Sequence, residues 1–282
     1  MPSPSISAVF ITFNEAHIIG QSILAIKDSV AEIIVMDMRS TDGTNAIATG
    51  LGATVYSIDK VWNFGIARTY GIHKAKNEWI LLLDADEIVS RSLMRGIQKH
   101  IIDDDADCLY LPRANCAFSG FAPHESGFPE HIARCFKKNH MDIAGYNGEL
   151  HLPYSPIPSA RIFRIPGTFP DCALYHITNP TVEFFIDKIN RYTTIETQER
   201  LKQGVLFSPV RALLIPLRTF WVHYILRKGF LDGWRGFWLS ISFLLYEYQL
   251  HAKLWEASLY NHKQPTLEDA RKKMMSQCGI NN

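Results

Sequence analysis

Cysteine is scarce in this chain, with five among 282 residues, at positions 108, 116, 135, 172 and 278. The count is odd and no Cys-x-x-Cys pair occurs. That excludes a disulfide scaffold or a zinc framework and favours a reducing compartment. Long apolar runs are also missing. The longest, Phe237 to Tyr246, falls well short of the ~18 residues that span a bilayer, and it reads as a buried or interfacial helix. The opening MPSPSISAVFITFN has no basic flank before an apolar stretch, so no secretory signal is expected. Internal repeats and low-complexity tracts are absent. Histidines 124, 131, 151 and 176 follow no zinc-ligand spacing. Bulk charge is missing as well: the net of +1 names no partner.

What is present is an uneven charge and a regular alternation. Residues 1–182 hold 15 Lys+Arg against 19 Asp+Glu, a net of −4, and residues 183–282 hold 14 against 9, a net of +5. An acidic front and a basic, aromatic rear predict two surfaces with different partners. With 47% hydrophobic residues, the chain has material for one or two ordinary domains. Ile6 to Thr12 is a short β-branched apolar run, as a strand requires. Asn14 to Val30 carries apolar residues at helical spacing. EIIVMD (32–37) reads as a buried parallel strand ending in the turn-rich RSTDGT, and Thr44 to Leu51 as a helix capped near Gly52. Ala53 to Ser57 is a third strand, Phe64 to Lys76 a third helix, and WILLL (79–83) a fourth strand ending in DADE. Strands alternating with helices predict an α/β fold with a doubly wound, mostly parallel sheet. Residues 107–182 mix strands with long loops. The pattern is helical again from Thr181 to about Leu201, is broken at Pro209 and Pro216, and resumes from Leu239 to Leu259. The expected division is a sheet domain over 1–180 and a helical region over 181–282.

In doubly wound sheets, ligands sit beyond the carboxyl ends of the strands. The polar groups Thr12–Glu15, Asp37–Asp42 and Asp84–Glu87 all follow such ends. Asp84 and Asp86 flank one residue directly after the fourth strand. A pair of carboxylates there suits a hard divalent cation, Mg²⁺ or Mn²⁺, which would neutralise a leaving diphosphate. Asp37 is placed to accept from a base N–H or a ribose hydroxyl. Asp42, just before Gly43, reads instead as a turn or cap residue. Asn14 is either a ligand contact or a helix cap, and the sequence leaves both open. His176 closes the short apolar stretch ALYHI and is a candidate third metal ligand or diphosphate contact.

AVFITFNEAHII, EIIVMDMRSTDGT and WILLLDADE, in that order and spacing, resemble the family 2 glycosyltransferases with the nucleotide-diphospho-sugar transferase (GT-A) fold. The resemblance implies a nucleotide-sugar site lined by Thr12, Glu15 and Asp37, with metal on Asp84 and Asp86. Met38 and Arg39 stand where the family usually has small residues, so backbone approach there is expected to differ; Asn14, Arg39 and Asp84 are further candidate donor contacts. VWNFGIARTYGIHKAKNEW, GFPEHIARCFKK and HYILRKGFLDGWRGF resemble the lipopolysaccharide-core glucosyltransferase-like branch. In that likeness Arg68 faces the diphosphate, as a fixed guanidinium fork suits phosphate oxygens. An inverting transfer needs a general base for the acceptor hydroxyl. The branch's His-Glu pair is replaced here by NGELHLP, leaving Glu130 and Glu149 as the candidates. The expected acceptor is a saccharide or glycolipid. The expected setting is the cytoplasm, peripheral at the inner face of the membrane, where the basic aromatic segment from Arg218 to Trp238 suits anionic headgroups. Nucleic acid is not expected, since the front half carries no motif for it.

Overall fold

A computed structural model describes residues 5–59, 64–143 and 154–278. The chain forms two compact units, one of residues 1–116 and 128–178 and the other of residues 117–127 and 179–282.

The first unit opens with β1 (Ile6–Thr12), α1 (Ile19–Leu24), β2 (Glu32–Asp37), α2 (Thr44–Gly50), β3 (Thr54–Ser57), α3 (Phe64–Lys74), β4 (Trp79–Asp84), β5 (Glu87–Val89) and α4 (Arg91–Asp103). Strands β3, β2, β1 and β4 lie side by side and parallel. β1 is buried along its whole length, which is why it reads as mostly apolar sequence. The chain winds outward from β1 to β2 and β3, then returns to place β4 on the other side of β1. That reversal makes the carboxyl ends of β1 and β4 a topological switch point. Apolar side chains fill both faces of the sheet. One cluster surrounds Phe10 and Ile23 with Leu93, Met94 and Ile97 of α4, and another surrounds Val9, Met36 and Ile72. α3 lies directly on the second face: a Cβ on Gly71 would collide with Val9 and crowd Met36.

The predicted helix over Asn14–Val30 shrinks to Ile19–Leu24. Asn14 has φ 55°, and residues 13–18 form a loop rather than a first turn. The other predicted elements of residues 1–90 stand within a few residues of their expected bounds, and Gly52 at φ 93° ends α2 as anticipated.

Beyond α4 come β6 (Cys108–Ala117) and, after an excursion into the second unit through β7 (Gly120–Phe121) and α5 (Pro123–Ser126), β8 (Glu130–Lys137). β9 (Met141–Asp142), β10 (Ser155–Pro156), β11 (Ile162–Arg164) and β12 (Leu174–Asn179) follow. The sheet continues as β4-β8-β6-β12-β5, with β8 antiparallel to β4 and β12 antiparallel to β5. The result is a mostly parallel sheet with an antiparallel extension.

The second unit is helical: α5, α6 (Val182–Lys202), α7 (Pro209–Trp221), α8 (Gly233–Ser258) and α9 (Leu267–Gln277). The helical pattern breaks after Lys202, ahead of Pro209, but Pro209 and Pro216 themselves lie within a helix, contrary to expectation. Pro209 stands in the first turn of α7, where no N–H is needed, and Ser208 caps that turn through the Arg211 amide. Pro216 lies inside α7 and is buried, so packing offsets its missing hydrogen bond. Among the described residues no helix is long and apolar enough to cross a membrane, and no disulfide joins two cysteines.

Candidate active site

The loops after β1 and β2 are stitched together at the switch point. The Asn14 amide donates to Ser40 Oγ, and Asn14 Oδ1 accepts from the Thr41 amide, each at 2.8 Å. Asp42 accepts from the amides of Ala16 and Thr44 and from the Thr44 hydroxyl. Those bonds outweigh the effect of burial and hold its carboxyl below the usual carboxylate range. Asp42 is therefore the turn residue its sequence context indicates, and Asn14 is spent in the same lacing. Asp37 is buried at the end of β2, touched by the Ser40 amide at 3.2–3.3 Å. Thr12 Oγ1 is buried with no hydrogen-bond partner among the described residues. The Glu15 amide donates to Thr44 Oγ1, and its carboxylate lies 3.7 Å from His17. Arg39 adopts φ 60° and pairs with Asp59 on the open surface.

A second group gathers at the ends of β4, β6, β8 and β12. Asp84 Oδ1 accepts from Arg68 Nη2 at 2.5 Å and Oδ2 from Arg134 Nη2 at 2.7 Å. Burial opposes its ionisation, but the two guanidinium charges win and hold it far below the usual range. Arg134 also donates to Glu87 Oε1 at 3.0 Å. Glu87 is fully buried, and its other oxygen accepts the Asp84 amide. Arg113 stands 3.7 Å from Glu87 and donates twice to Glu130 Oε2. Asn115 Nδ2 donates to that same Oε2 at 2.9 Å, while its Oδ1 lies 2.8 Å from His176 Nδ1. His176 Nε2 then faces Asp86 Oδ2 at 3.3 Å. One continuous chain of polar contacts thus runs from Arg68 to Asp86.

Strand geometry explains the convergence. Arg113 and Asn115 alternate onto one face of β6, and Arg113 is the cross-strand partner of Glu130 on β8. His176 pairs in register with Glu87, and the Ile177 amide bonds the Asp86 carbonyl. Glu149 and His151 lie outside the described residues.

The chain of contacts fixes the histidine tautomer. An ionised carboxylate only accepts, so Glu130 holds the Asn115 amide group and turns Oδ1 toward His176. His176 Nδ1 must then carry the proton. In the neutral ring the Nε2 lone pair is left facing the Asp86 oxygens. Two lone pairs 3.3 Å apart repel unless a proton or a cation lies between them. Cis ligands at about 2.0–2.2 Å from one ion stand roughly 3 Å apart, so the pair fits a divalent cation. Asp84, expected beside Asp86 as a ligand, has both oxygens engaged by arginines. Among the described residues no group of three His, Cys, Asp or Glu side chains is arranged to hold an ion. Any further ligands must come from outside that set.

Residues 7–164 match the model of the glycosyl transferase family 2. The chain belongs to that family. A Rickettsia bellii protein described as an uncharacterized glycosyltransferase is 28% identical over 269 residues, covering 90% of this chain and 87% of its own. A TPR repeat-containing protein of Synechococcus elongatus is 42% identical over 200 residues, 71% of this chain but 47% of that larger protein. Among solved structures, S. aureus TarS overlaps 90% of this chain and 55% of its own, at 14% identity and a TM-score of 0.44. Glucosyl-3-phosphoglycerate synthase from Mycobacterium tuberculosis, solved with Mn²⁺ and UDP-glucose, overlaps 38% of this chain and 43% of its own, at 23% identity and a TM-score of 0.34.

Sequence reasoning passes over four residues of this glycosyltransferase's site. Arg134 lies in GFPEHIARCFKK and Glu87 in DADE, yet neither segment singles them out for a role. Arg113 and Asn115 carry no signal beyond their alternation on one strand.

Proposed function

We propose that the protein transfers a sugar from a nucleotide diphosphate, UDP favoured, to a saccharide or glycolipid acceptor, with inversion at the anomeric carbon. The observation that carries this reading is His176 Nε2 facing Asp86 Oδ2 at 3.3 Å at the switch point, with Asn115 against the other ring nitrogen. Asp86 and His176 would hold Mg²⁺ or Mn²⁺, which supplies a positive charge to the departing diphosphate. Asp84 serves the same site by holding Arg68. Arg68 keeps a buried Nε–H without a partner among the described residues, a donor suited to a phosphate oxygen. Asp37, with Thr12 and Glu15 nearby, takes the nucleoside. A glycolipid acceptor places the work at the inner face of the cytoplasmic membrane, in envelope polysaccharide or lipopolysaccharide-core synthesis.

Chemically, the acceptor oxygen bonds to the anomeric carbon as the bond to the diphosphate breaks, and a carboxylate takes the hydroxyl proton. Glu130 is our choice for that base, with Glu149 the alternative. Burial pushes the Glu130 carboxyl up, but Arg113 and the bonds from Arg113 and Asn115 hold it below the usual range. It is therefore ionised at neutral pH and is lost as a base only as pH falls below the ordinary glutamate value near ~4.3. Glu130→Gln is expected to lower kcat by about 10²–10⁴-fold with donor KM little changed. An unchanged kcat would move the role to Glu149.

Asn115 sets the tautomer that frees Nε2. Asn115→Leu is expected to weaken Mn²⁺ binding in the presence of UDP by about 10–100-fold, as outer-shell partners of metal ligands do. Electron paramagnetic resonance of free Mn²⁺ measures this without relying on turnover. Unaltered affinity would remove His176 from the metal site.

A further inference from the structure

Among the described residues, one face of the helical unit has no partner. In α7, Val210, Leu213, Leu214, Leu217 and Trp221 are all exposed, Leu213 by 65%. At about 100° per residue these positions form one stripe along the helix. Ala212, Ile215 and Thr219, half-buried, and Pro216, buried, lie on the other side of α7. The stripe is therefore not the face that packs inside the unit. Arg211 and Arg218, seven residues apart, follow one flank of it.

The stripe leads into a tight tip between α7 and α8, where Leu226, Phe230, Leu231 and Trp234 are exposed, Trp234 by 76%. The tip is built, not loose. Lys228 and Gly233 take left-handed φ values of 61°. A Cβ on Gly236 would collide with the Gly229 carbonyl. Asp232 accepts from His124 Nδ1 at 2.7 Å and from the Glu125 amide at 2.8 Å, and Glu125 in turn meets His223 at 2.7 Å. HYILRKGFLDGWRGF is thus the set of residues that shapes this tip. Arg227 and Lys228 stand on it. From Arg200 to Leu231 the sequence has six Lys or Arg and no Asp or Glu.

We infer that α7 and the tip form a docking surface for an anionic lipid bilayer, with the stripe immersed at the headgroup boundary. This goes beyond the donor and metal assignments and does not depend on them. Exposed leucines and tryptophans supply apolar area to an interface. The arginines beside them reach phosphate headgroups while their stems stay apolar. Each basic residue near an anionic leaflet adds roughly fivefold to partition. The stretch carries no acidic residue to repel a negative surface, and the side chain of Asp232 just beyond it is buried.

Flotation of the full chain with vesicles of roughly one-third phosphatidylglycerol in phosphatidylcholine tests this. The protein should float with these vesicles and at least tenfold less with phosphatidylcholine alone. Leu213→Glu with Leu217→Glu should abolish retention, and Arg211→Glu with Arg218→Glu should cut it at least tenfold. All four positions are solvent-exposed, so circular dichroism should show both double variants folded. Failure of the wild type to float, or equal flotation of all three proteins, overturns the proposal. So does a dimer in sedimentation analysis that Leu213→Glu with Leu217→Glu dissociates, since the stripe would then belong to a second copy. Nucleotide binding should be unaltered in both variants, which separates this outcome from failure of the catalytic reading.

Discussion

Asp86→Ala is expected to lower sugar transfer by about a thousandfold or more while the protein stays folded. The carboxylate faces His176 Nε2 at 3.3 Å. Its structural duty runs through the backbone, where its carbonyl accepts the Ile177 amide, and alanine keeps that bond. What would disappear, on the proposed reading, is one of two protein ligands for a cation that would neutralise the leaving diphosphate. Stabilisation of that kind amounts to several kcal/mol, and about 4 kcal/mol is a factor of a thousand in rate. Initial-rate assays with the wild type and the variant at matched Mn²⁺ check this. Loss of less than tenfold would leave Asp86 outside the chemistry.

Glu87→Ala is expected to act on stability instead, by about 3–5 kcal/mol. Glu87 is fully buried, and its carboxylate meets Arg134 at 3.0 Å, the Asp84 amide at 3.0 Å and Arg113 at 3.7 Å. Alanine leaves the buried Arg134 guanidinium with Asp84 alone and leaves an amide at the end of β4 without its acceptor. An unpaired buried charge costs much more than the pair contributes, so the penalty follows from removing one partner only. Hydrogen exchange of the β4 and β8 amides under increasing guanidinium reads the first unit directly. Protection in the variant equal to wild type would mean that water enters and solvates the arginines.

Much of the sheet is legible in the sequence because its strands are buried on both faces and therefore mostly apolar, as in Ile6–Thr12 and Trp79–Leu83. Asp37, Asp84 and Asp86 stand out in the sequence because they lie at or just after strand ends, where a parallel sheet places ligands. The loop at residues 13–18 is not legible. Its apolar residues keep helical spacing, yet Asn14 turns left-handed to bond Ser40 and Thr41, a long-range tie that no local pattern encodes. α7 is hidden by its prolines, which suggest a break, although a first-turn proline needs no donor. The most consequential gap is pairing. Asp84 and Asp86 look equivalent one residue apart, but only the fold shows that two arginines occupy the first and a histidine faces the second. Asn115 and Arg113 enter the site from β6 solely because β8 and β12 lie beside it.

The central claim is that the switch point binds a nucleotide diphosphate through a cation held by Asp86 and His176. Calorimetric titration with UDP, GDP, CMP and ADP, each with and without Mn²⁺, tests it most directly. One diphosphate, UDP favoured, is expected to bind only with Mn²⁺, and the Asp86→Ala protein is expected to lose that binding. Failure of the folded wild type to bind any of the four, or binding indifferent to both Mn²⁺ and Asp86, would contradict it.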